Sequence, residues 1–365
     1  MTITNDLAAD AVAPAPADDS RGRKGGGALG RYLLVRFLLI FPTVFILVTV
    51  VFVLMRATGD PITAALGGRL PPEQLHERIH QAGYDRPILV QYLDYLGRIV
   101  RGDFGTTLSD HLPVTKVLTT YGAATLELAL YALVVAFLVG IPLGRIAAAR
   151  RDRLPDAGLR IAAILGYATP VFFAGLLLKL IFSVWLGWLP PNGRASTRDL
   201  ITMKTHGART GIYLIDAIST GKWSVVADVL QHAVMPALAL GLLTAGVFLR
   251  LVRTNMISTL QTGYVEAARS RGVAERRLVR AHAWRPALVP IITVIGLQIA
   301  MLLGGAVLTE TTFEWKGLGF QLVQYLNARD FVAVQGMVAL LAVIVAVTNF
   351  IVDVIAALVD PRIRY

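Results

Sequence analysis

Few side chains in this 365-residue sequence have the types and spacing that enzyme chemistry requires. The chain contains no cysteine, which excludes disulfides, thiolate metal sites and a cysteine nucleophile. Its six histidines are scattered without the spacing of metal ligands, so we predict no metal site. The segment 219–223 contains Gly-Lys, but a phosphate loop would need glycine at Asp216 and serine or threonine at Trp223. We therefore predict no catalytic residue and no ATPase site in this chain.

Two ionisable residues, Glu127 and Lys179, lie within or at the edge of long apolar runs. A charge inside a membrane is costly and usually faces a partner or water. Glu127 lies a few residues into its run, so a position at the membrane interface and a place in a substrate path are both open. The ammonium group of Lys179 can reach the interface by extending along its helix.

The most informative polar segment spans residues 264–285. Its marker residues are Glu266, Ala267, Ala268, Gly272, Arg276 and His282. The sequence favours a helix up to residue 271, a reversal at Gly272 with positive φ, and a second basic amphipathic helix leading to Pro286. Such a hairpin is a rigid protrusion that could dock into a groove on a soluble partner. A solvated, positively charged loop is the simpler alternative.

Six apolar runs surround these polar features. Hydrophobic residues make up 55% of the chain and charged residues 16%, whereas soluble domains carry about 25% charged residues. Each run is close to the roughly 20 residues that cross about 30 Å of hydrocarbon, and continuous runs of this length form helices rather than barrel strands. The predicted spans are 33–55, 123–146, 161–183, 232–250, 286–309 and 331–354. We therefore expect an all-α polytopic membrane protein with six transmembrane helices.

The domain organisation follows from these runs. Residues 1–30, rich in Ala, Pro, Asp and Gly, are predicted to form a disordered cytoplasmic tail, and residues 31–365 the transmembrane domain. The first run is too long for a signal-peptide core and no small-residue cleavage site follows Met55, so we expect it to remain in the mature protein.

Basic residues indicate the orientation. Arginine is concentrated in the tail, in the loops 145–160 and 250–285 and at the C-terminus, whereas the segment 56–121 contains seven basic and seven acidic residues. The positive-inside rule then places both termini in the cytoplasm. The net charge of +11 follows from this topology, and no nucleic-acid partner is needed to explain it.

Two long segments, 56–121 and 184–231, are expected on the other side as short helices lying against the membrane. The apolar residues between Ile88 and Val100 have helical spacing. They could form a packing face, or they could guide a substrate or contact a partner protein.

The segment Glu266-Ala267-Ala268, followed after three residues by Gly272, resembles the EAA loop of ATP-binding-cassette (ABC) importer permeases. Further motifs resemble the dipeptide, oligopeptide and nickel permease family and occur in that family's order: 125–129, 140–144, 186–190, 310–319 and 360–365. The opening helix followed by Gly59-Asp60-Pro61 resembles the B-type subunit. In two places the sequence departs from the patterns, with Trp284-Arg285 in place of Leu-Pro and Lys316 in place of a proline.

The resemblance implies a type I ABC importer permease in the bacterial cytoplasmic membrane that moves dipeptides or oligopeptides. It implies three protein partners: a second, C-type permease subunit, cytoplasmic ABC ATPases that bind the ATP, and an extracytoplasmic binding protein. The other expected partners are the peptide substrate and the membrane lipid. The coupling residues would be those of the 264–285 hairpin. Import of nickel chelates or another small solute on the same scaffold is an alternative. A secondary transporter would instead predict inverted repeats, broken helices and midplane ion ligands, and the sequence shows none of them. An intramembrane enzyme would need a nucleophile and a base, or metal ligands, within the spans, and the sequence has no convincing set.

Overall fold

The structure is a computed structural model that describes residues 25–57, 59–68 and 70–359. Within these ranges it does not describe the side chains of residues 25–29, 282, 285, 356, 358 and 359, or several between 288 and 305. Nearly all of the described chain is helical or in turns, and its one β feature is an isolated bridge between Thr106 and Pro113. The predicted all-α class is confirmed.

The helices are listed here in chain order. The first half of the chain forms α1 Gly25–Ala57, α2 Pro61–Leu66, α3 Pro72–Gln81, α4 Ile88–Val100, α5 Val114–Ala149, α6 Leu154–Ala168 and α7 Val171–Leu178, with a π-helical continuation over Lys179–Trp185. The second half forms α8 Thr197–Thr205, α9 Tyr213–Ser219, α10 Trp223–Leu260, α11 Gly263–Ser270, α12 Glu275–Arg277 with a π-helical continuation over Leu278–Ala283, α13 Trp284–Thr312, α14 Leu318–Asn327 and α15 Phe331–Val359.

Four helices of the described chain, α1, α5, α10 and α15, are each long and apolar enough to cross a membrane. α5 contains 36 residues and is therefore about 54 Å long, well beyond the hydrocarbon thickness of about 30 Å. α6 and α7 meet the same criterion together, and α13 contains 29 residues. These segments overlap all six predicted spans. The exact number of six passages stays a prediction.

The third predicted span, 161–183, is wrong as a single straight helix. α6 and α7 meet at an angle of 103° around Thr169 and Pro170. Proline has no N–H to donate to the preceding turn and disfavours helical geometry in the residue before it. Thr169 is accordingly extended, with φ −78° and ψ 123°.

The centre of the fold is the pair α5 and α10, which lie side by side and run in the same direction. A Cβ atom at Gly140 would lie 2.6 Å from the carbonyl oxygen of Ala245, and one at Gly144 would lie 2.8 Å from that of Leu249. From the other side, a Cβ atom at Gly241 would lie 2.7 Å from the carbonyl oxygen of Ala132. Glycine is needed at these positions because the two backbones touch, as expected for small residues at four-residue spacing.

α1 packs mainly against α15 at the side of the bundle. The rings of Phe37 and Phe350 lie 5.7 Å apart, and Arg36 pairs with Asp353 at 3.4 Å. α1 begins at Gly25, and the part of it that could cross a membrane begins at Gly30. The division between a tail over 1–30 and a membrane domain from residue 31 stays a prediction. Residues 1–24 lie outside the described chain, as does the 360–365 motif.

The two long connecting segments contain the expected short helices. In the first, α4 packs on α1 through Tyr92, whose hydroxyl lies 2.6 Å from that of Thr49, and through Tyr95, which stacks on Phe52. Leu89 and Leu93 on the same helix are 75% and 66% exposed. α4 therefore has both a packing face and an uncovered apolar face, which fits a helix lying against a membrane.

Candidate functional site

The segment after α10 forms a short hairpin at one end of the long helices. We call this end, where α5 and α10 finish and α13 starts, the arginine-rich end. α11 is fixed to the bundle by Val265, whose side chain is fully buried. Glu266 and Ala267 on the same helix are exposed, and Ala268 is half-buried. The EAA residues thus lie mostly on the outer surface of a helix that has one firm anchor.

The chain reverses after α11 at Gly272, where φ is +81° as the sequence predicted. The amide of Gly272 donates to the carbonyl of Arg269 at 2.9 Å, and that of Val273 donates to the carbonyl of Ala268 at 3.3 Å. No atom lies within 4 Å of the position a Cβ would occupy, so backbone geometry alone selects glycine here.

An ion pair closes this turn. The guanidinium of Arg269 donates from Nη2 to Oε1 of Glu275 at 3.0 Å and from Nε to Oε2 at 3.3 Å. This contact raises the pKa of Arg269 above its ordinary value. Both side chains are about half exposed, so the pair contributes little to overall stability. Its two-point geometry instead fixes the angle between α11 and α12.

The predicted second basic helix is present after Gly272, but it is continuous with α13. α12 is only three residues long and continues through the π-helical stretch 278–283 into α13 without a break. Pro286 cannot donate to the turn before it, and the wider π-helical turns lie immediately before that proline. Arg276 is exposed on α12, whereas Leu278 is fully buried. The side chain of His282, the last predicted coupling residue, lies outside the described part of the structure.

A buried ion pair supports the arginine-rich end from the side. Arg253 of α10 donates from Nε and Nη2 to the two oxygens of Asp156 at 2.6 and 2.7 Å. Asp156 is fully buried at the start of α6 and also accepts from the amide of Asp152 at 3.1 Å. This pair fixes α6 against α10 a few residues before the hairpin begins.

The opposite end of the bundle, which we call the Trp315 end, contains a buried carboxylate. Glu310 near the end of α13 is fully buried. Its Oε1 accepts from the hydroxyl of Thr125 at 2.6 Å and its Oε2 from the amide of Phe320 at 2.8 Å. A Cβ at Gly317 would clash with this carboxylate. Glu310 therefore links α5, α13 and the turn before α14.

Trp315 completes this turn. Its side chain is fully buried, and Nε1 donates to the carbonyl of Ala124 at 2.8 Å. Lys316, which stands where the resembled pattern has a proline, is exposed. The replacement therefore does not prevent the burial of Trp315. Gly319 lies against α13, where a Cβ would come within 2.6 Å of the Cα of Val307.

Glu127 lies in the interior, near Trp315. Its side chain is 2% exposed and forms an ion pair with Arg194, which is 7% exposed. Glu127 Oε1 also accepts from the hydroxyl of Tyr131 at 3.0 Å and from the amide of Leu214 at 2.8 Å. The guanidinium carbon of Arg194 lies 3.6 Å from the centre of the Tyr213 ring. Glu127 thus holds the segment 194–214 onto α5, and its place in a substrate path stays a prediction.

Lys179 does not extend freely along its helix. Its Nζ donates to Oδ1 of Asn192 at 2.6 Å and to the carbonyl of Thr312 at 2.9 Å. It therefore connects the π-helical end of α7 to the end of α13.

The sequence analysis identified neither Arg194 as the partner of buried Glu127 nor Arg253 as the partner of buried Asp156. It also missed the exposed ion pair between Arg269 and Glu275. A usable signal was present, because Glu127 and Asp156 lie beside apolar runs and a buried carboxylate requires a cation or several donors. The sequence does not indicate which arginine is the partner.

Two families match this sequence. “Binding-protein-dependent transport system inner membrane component” matches residues 140–365, and the corresponding N-terminal family matches residues 29–119. Together they cover both ends of the bundle and the hairpin.

Similar proteins cover nearly the whole chain. The “Di/tripeptide transport system permease protein DppB” of Pseudomonas aeruginosa is 39% identical over 92% of this chain and 98% of its own length. The “Dipeptide transport system permease protein DppB” of Escherichia coli is 37% identical over 92% of this chain and 99% of its own length. A solved structure titled “Inward facing conformations of the MetNI methionine ABC transporter” has 17% identity and a TM-score of 0.49, covering 67% of this chain and 97% of that chain.

Proposed function

The chain belongs to the family of binding-protein-dependent transport system inner membrane components, and on this basis we propose that it forms half of the channel of an ATP-driven peptide importer. The names and full-length coverage of the two DppB relatives support dipeptides or oligopeptides as cargo. Import of nickel chelates or another small solute is the alternative on the same scaffold.

The energy for transport comes from partner subunits. Cytoplasmic ABC ATPases bind and hydrolyse ATP, a C-type permease supplies the other half of the channel, and an extracytoplasmic binding protein delivers the peptide. We expect no ATPase site in this chain, because its sequence contains no phosphate-loop motif. The arginine-rich end and both termini face the cytoplasm, in accordance with the excess of arginine in the loops at that end.

The proposed coupling between this chain and the ATPases rests on the geometry of the hairpin. α11 exposes Glu266 and Ala267, is anchored by Val265, and is held at a fixed angle by the Gly272 turn. Movement of an ATPase against α11 passes to α10 at one end of the hairpin and to α13 at the other. Because α10 and α5 are in backbone contact, they move together as a rigid body.

The secondary-transporter alternative predicted broken helices, and the bend around Thr169 and Pro170 is one. The family membership favours the ABC importer despite this bend. A direct test is peptide uptake into vesicles that contain the permeases with or without the ATPases. Uptake driven by an ion gradient without ATPases would contradict the proposal.

The coupling role is tested by Gly272→Val, which places a β-branched residue at a φ of +81°. We expect the variant to insert normally and to lose most substrate-stimulated ATP hydrolysis, because α11 is misplaced. Gly207→Val is the matched control, since Gly207 also has a φ of +81° and open space around it but lies at the Trp315 end.

Glu266→Arg reverses a charge on the exposed face of α11, and Glu73→Arg makes the same change on exposed α3. We expect ATPase assembly to fail only for Glu266→Arg. Normal assembly and uptake in both hairpin variants would show that this segment is a solvated loop without a coupling role.

A further inference from the structure

A basic cavity of about 790 Å³ lies at the arginine-rich end, between the last turns of α5, the end of α10 and the segment around α12. Its charged lining consists of Arg145, Arg150, Arg276, Arg280 and Glu275. Glu275 is engaged by Arg269, and none of the four arginines forms an ion pair with another described residue. The cavity therefore has excess positive charge that a bound anion would neutralise.

The rest of the wall is largely apolar and continues a stripe along α5. The stripe consists of Leu126, Leu130, Val134, Leu138, Pro142 and Ile146, all of which are exposed. Residues four apart are neighbours on a helix surface, so the exposed stripe is continuous along most of α5 while it winds gradually around the helix. Its last two members line the cavity, and Arg150 follows four residues after Ile146.

The position of the cavity matches the edge of a membrane. Arg145 lies where the predicted span 123–146 ends, and its guanidinium carbon is 4.5 Å from the centre of the Trp284 ring. Tryptophan is enriched at membrane interfaces, and an arginine beside it is at the level of lipid headgroups. An anion bound here would lie at the level of the headgroups, next to the end of the apolar stripe on α5.

We propose that this cavity binds an anionic phospholipid, with the phosphate at the arginines and an acyl chain along the α5 stripe. Guanidinium groups match phosphate oxygens with paired hydrogen bonds, and basic pockets between membrane helices bind anionic headgroups. A free anion has no acyl chain that could contact the apolar stripe on α5, whereas a phospholipid has one. Because Arg276 and Arg280 lie on the segment that follows the Gly272 turn, the bound lipid holds the base of the hairpin.

The test uses the purified full chain in detergent and counts bound molecules by native mass spectrometry during titration with phosphatidylglycerol or phosphatidylcholine. Each arginine near a membrane surface contributes about five-fold to the affinity for an anionic lipid, so Arg145→Gln with Arg280→Gln should weaken phosphatidylglycerol binding about 25-fold. The double variant Arg151→Gln with Arg153→Gln removes the same charge from the same end outside the cavity, and should bind normally. Arg145→Lys with Arg280→Lys keeps both charges but loses the paired hydrogen bonds, so its affinity should lie between those of the unchanged protein and the glutamine variant. Equal unfolding midpoints for the two variants would show that the loss in the glutamine variant is not misfolding.

Equal weakening in the control pair, or equal binding of phosphatidylcholine by the unchanged protein, would overturn the proposal. Displacement of phosphatidylglycerol by an equal concentration of inorganic phosphate would show a site for free anions instead. If the glutamine pair retains phosphatidylglycerol but loses assembly with the ATPases or the second permease, the arginines form a protein interface. A lipid site depends only on the membrane location, so absence of peptide transport would leave it standing.

Discussion

Replacing Arg194 by methionine should destabilise the Trp315 end more than any exposed arginine substitution. The variant removes the cation that faces Glu127, whose side chain is only 2% exposed. Methionine keeps much of the apolar volume against Tyr213, so the change removes mainly the charge, together with the hydrogen bond from Nη2 to the carbonyl of Gly211 at 2.8 Å. The segment 194–214, which is joined to α5 through this pair, should be the part that loosens first.

The magnitude follows from the remaining partners of the carboxylate. Without Arg194, Glu127 retains the hydroxyl of Tyr131 and the amide of Leu214, which are two neutral donors for a buried charge. Removing one partner of a buried ion pair costs about 3–5 kcal/mol, and these two donors favour the lower end of that range. Removing both charges, with Glu127→Gln and Arg194→Met together, should recover part of the loss because no uncompensated charge is then buried.

The assay is reversible unfolding of the purified chain in detergent, analysed as a double-mutant cycle. Arg98 and Asp103 provide the control, since they pair at 2.8 Å but are 50% and 53% exposed. Arg98→Met should cost at most about 1 kcal/mol. If Arg194→Met also lowers the free energy of unfolding by less than about 1 kcal/mol and shows no coupling to Glu127→Gln, then burial does not increase the contribution of this ion pair to stability.

Two further predictions concern helix packing and orientation. Gly144→Ala places a Cβ atom 2.7 Å from the Cβ atom of Val252 and should lower the free energy of unfolding by about 1–3 kcal/mol. The control Gly158→Ala places a Cβ atom with no other atom within 4 Å and should leave the free energy of unfolding unchanged. Equal unfolding midpoints for the two variants would contradict the close contact of α5 and α10. Because the chain has no cysteine, single cysteines at the exposed positions Thr197 and Ser270 can be labelled cleanly. An impermeant thiol reagent added to sealed cells should label only the first, and labelling of the second would reverse the proposed orientation.

The local features of the hairpin were predictable from the sequence. The positive φ at Gly272 follows from the need to reverse the chain between two basic, helix-favouring segments, and the structure has it. The continuous path from α12 through the π-helical stretch into α13 was not predicted, because helix propensity does not distinguish a new helix from the wide first turns of a long one.

The sequence alone determined the all-α class, the positions of the apolar segments and the arginine-rich end, because each follows from local composition and from the cost of unpaired backbone groups in lipid. Tertiary structure decided the rest. It set the bend around Pro170 at 103°, because a proline inside an apolar run can kink or end a helix and the sequence does not decide the angle. It also chose the partners of the buried carboxylates: Glu127 with Arg194 is a pair 67 residues apart in sequence, and Asp156 with Arg253 a pair 97 residues apart. A buried charge requires a partner, but which of many arginines meets it depends on how the long helices pack, and that packing is not encoded in any local pattern.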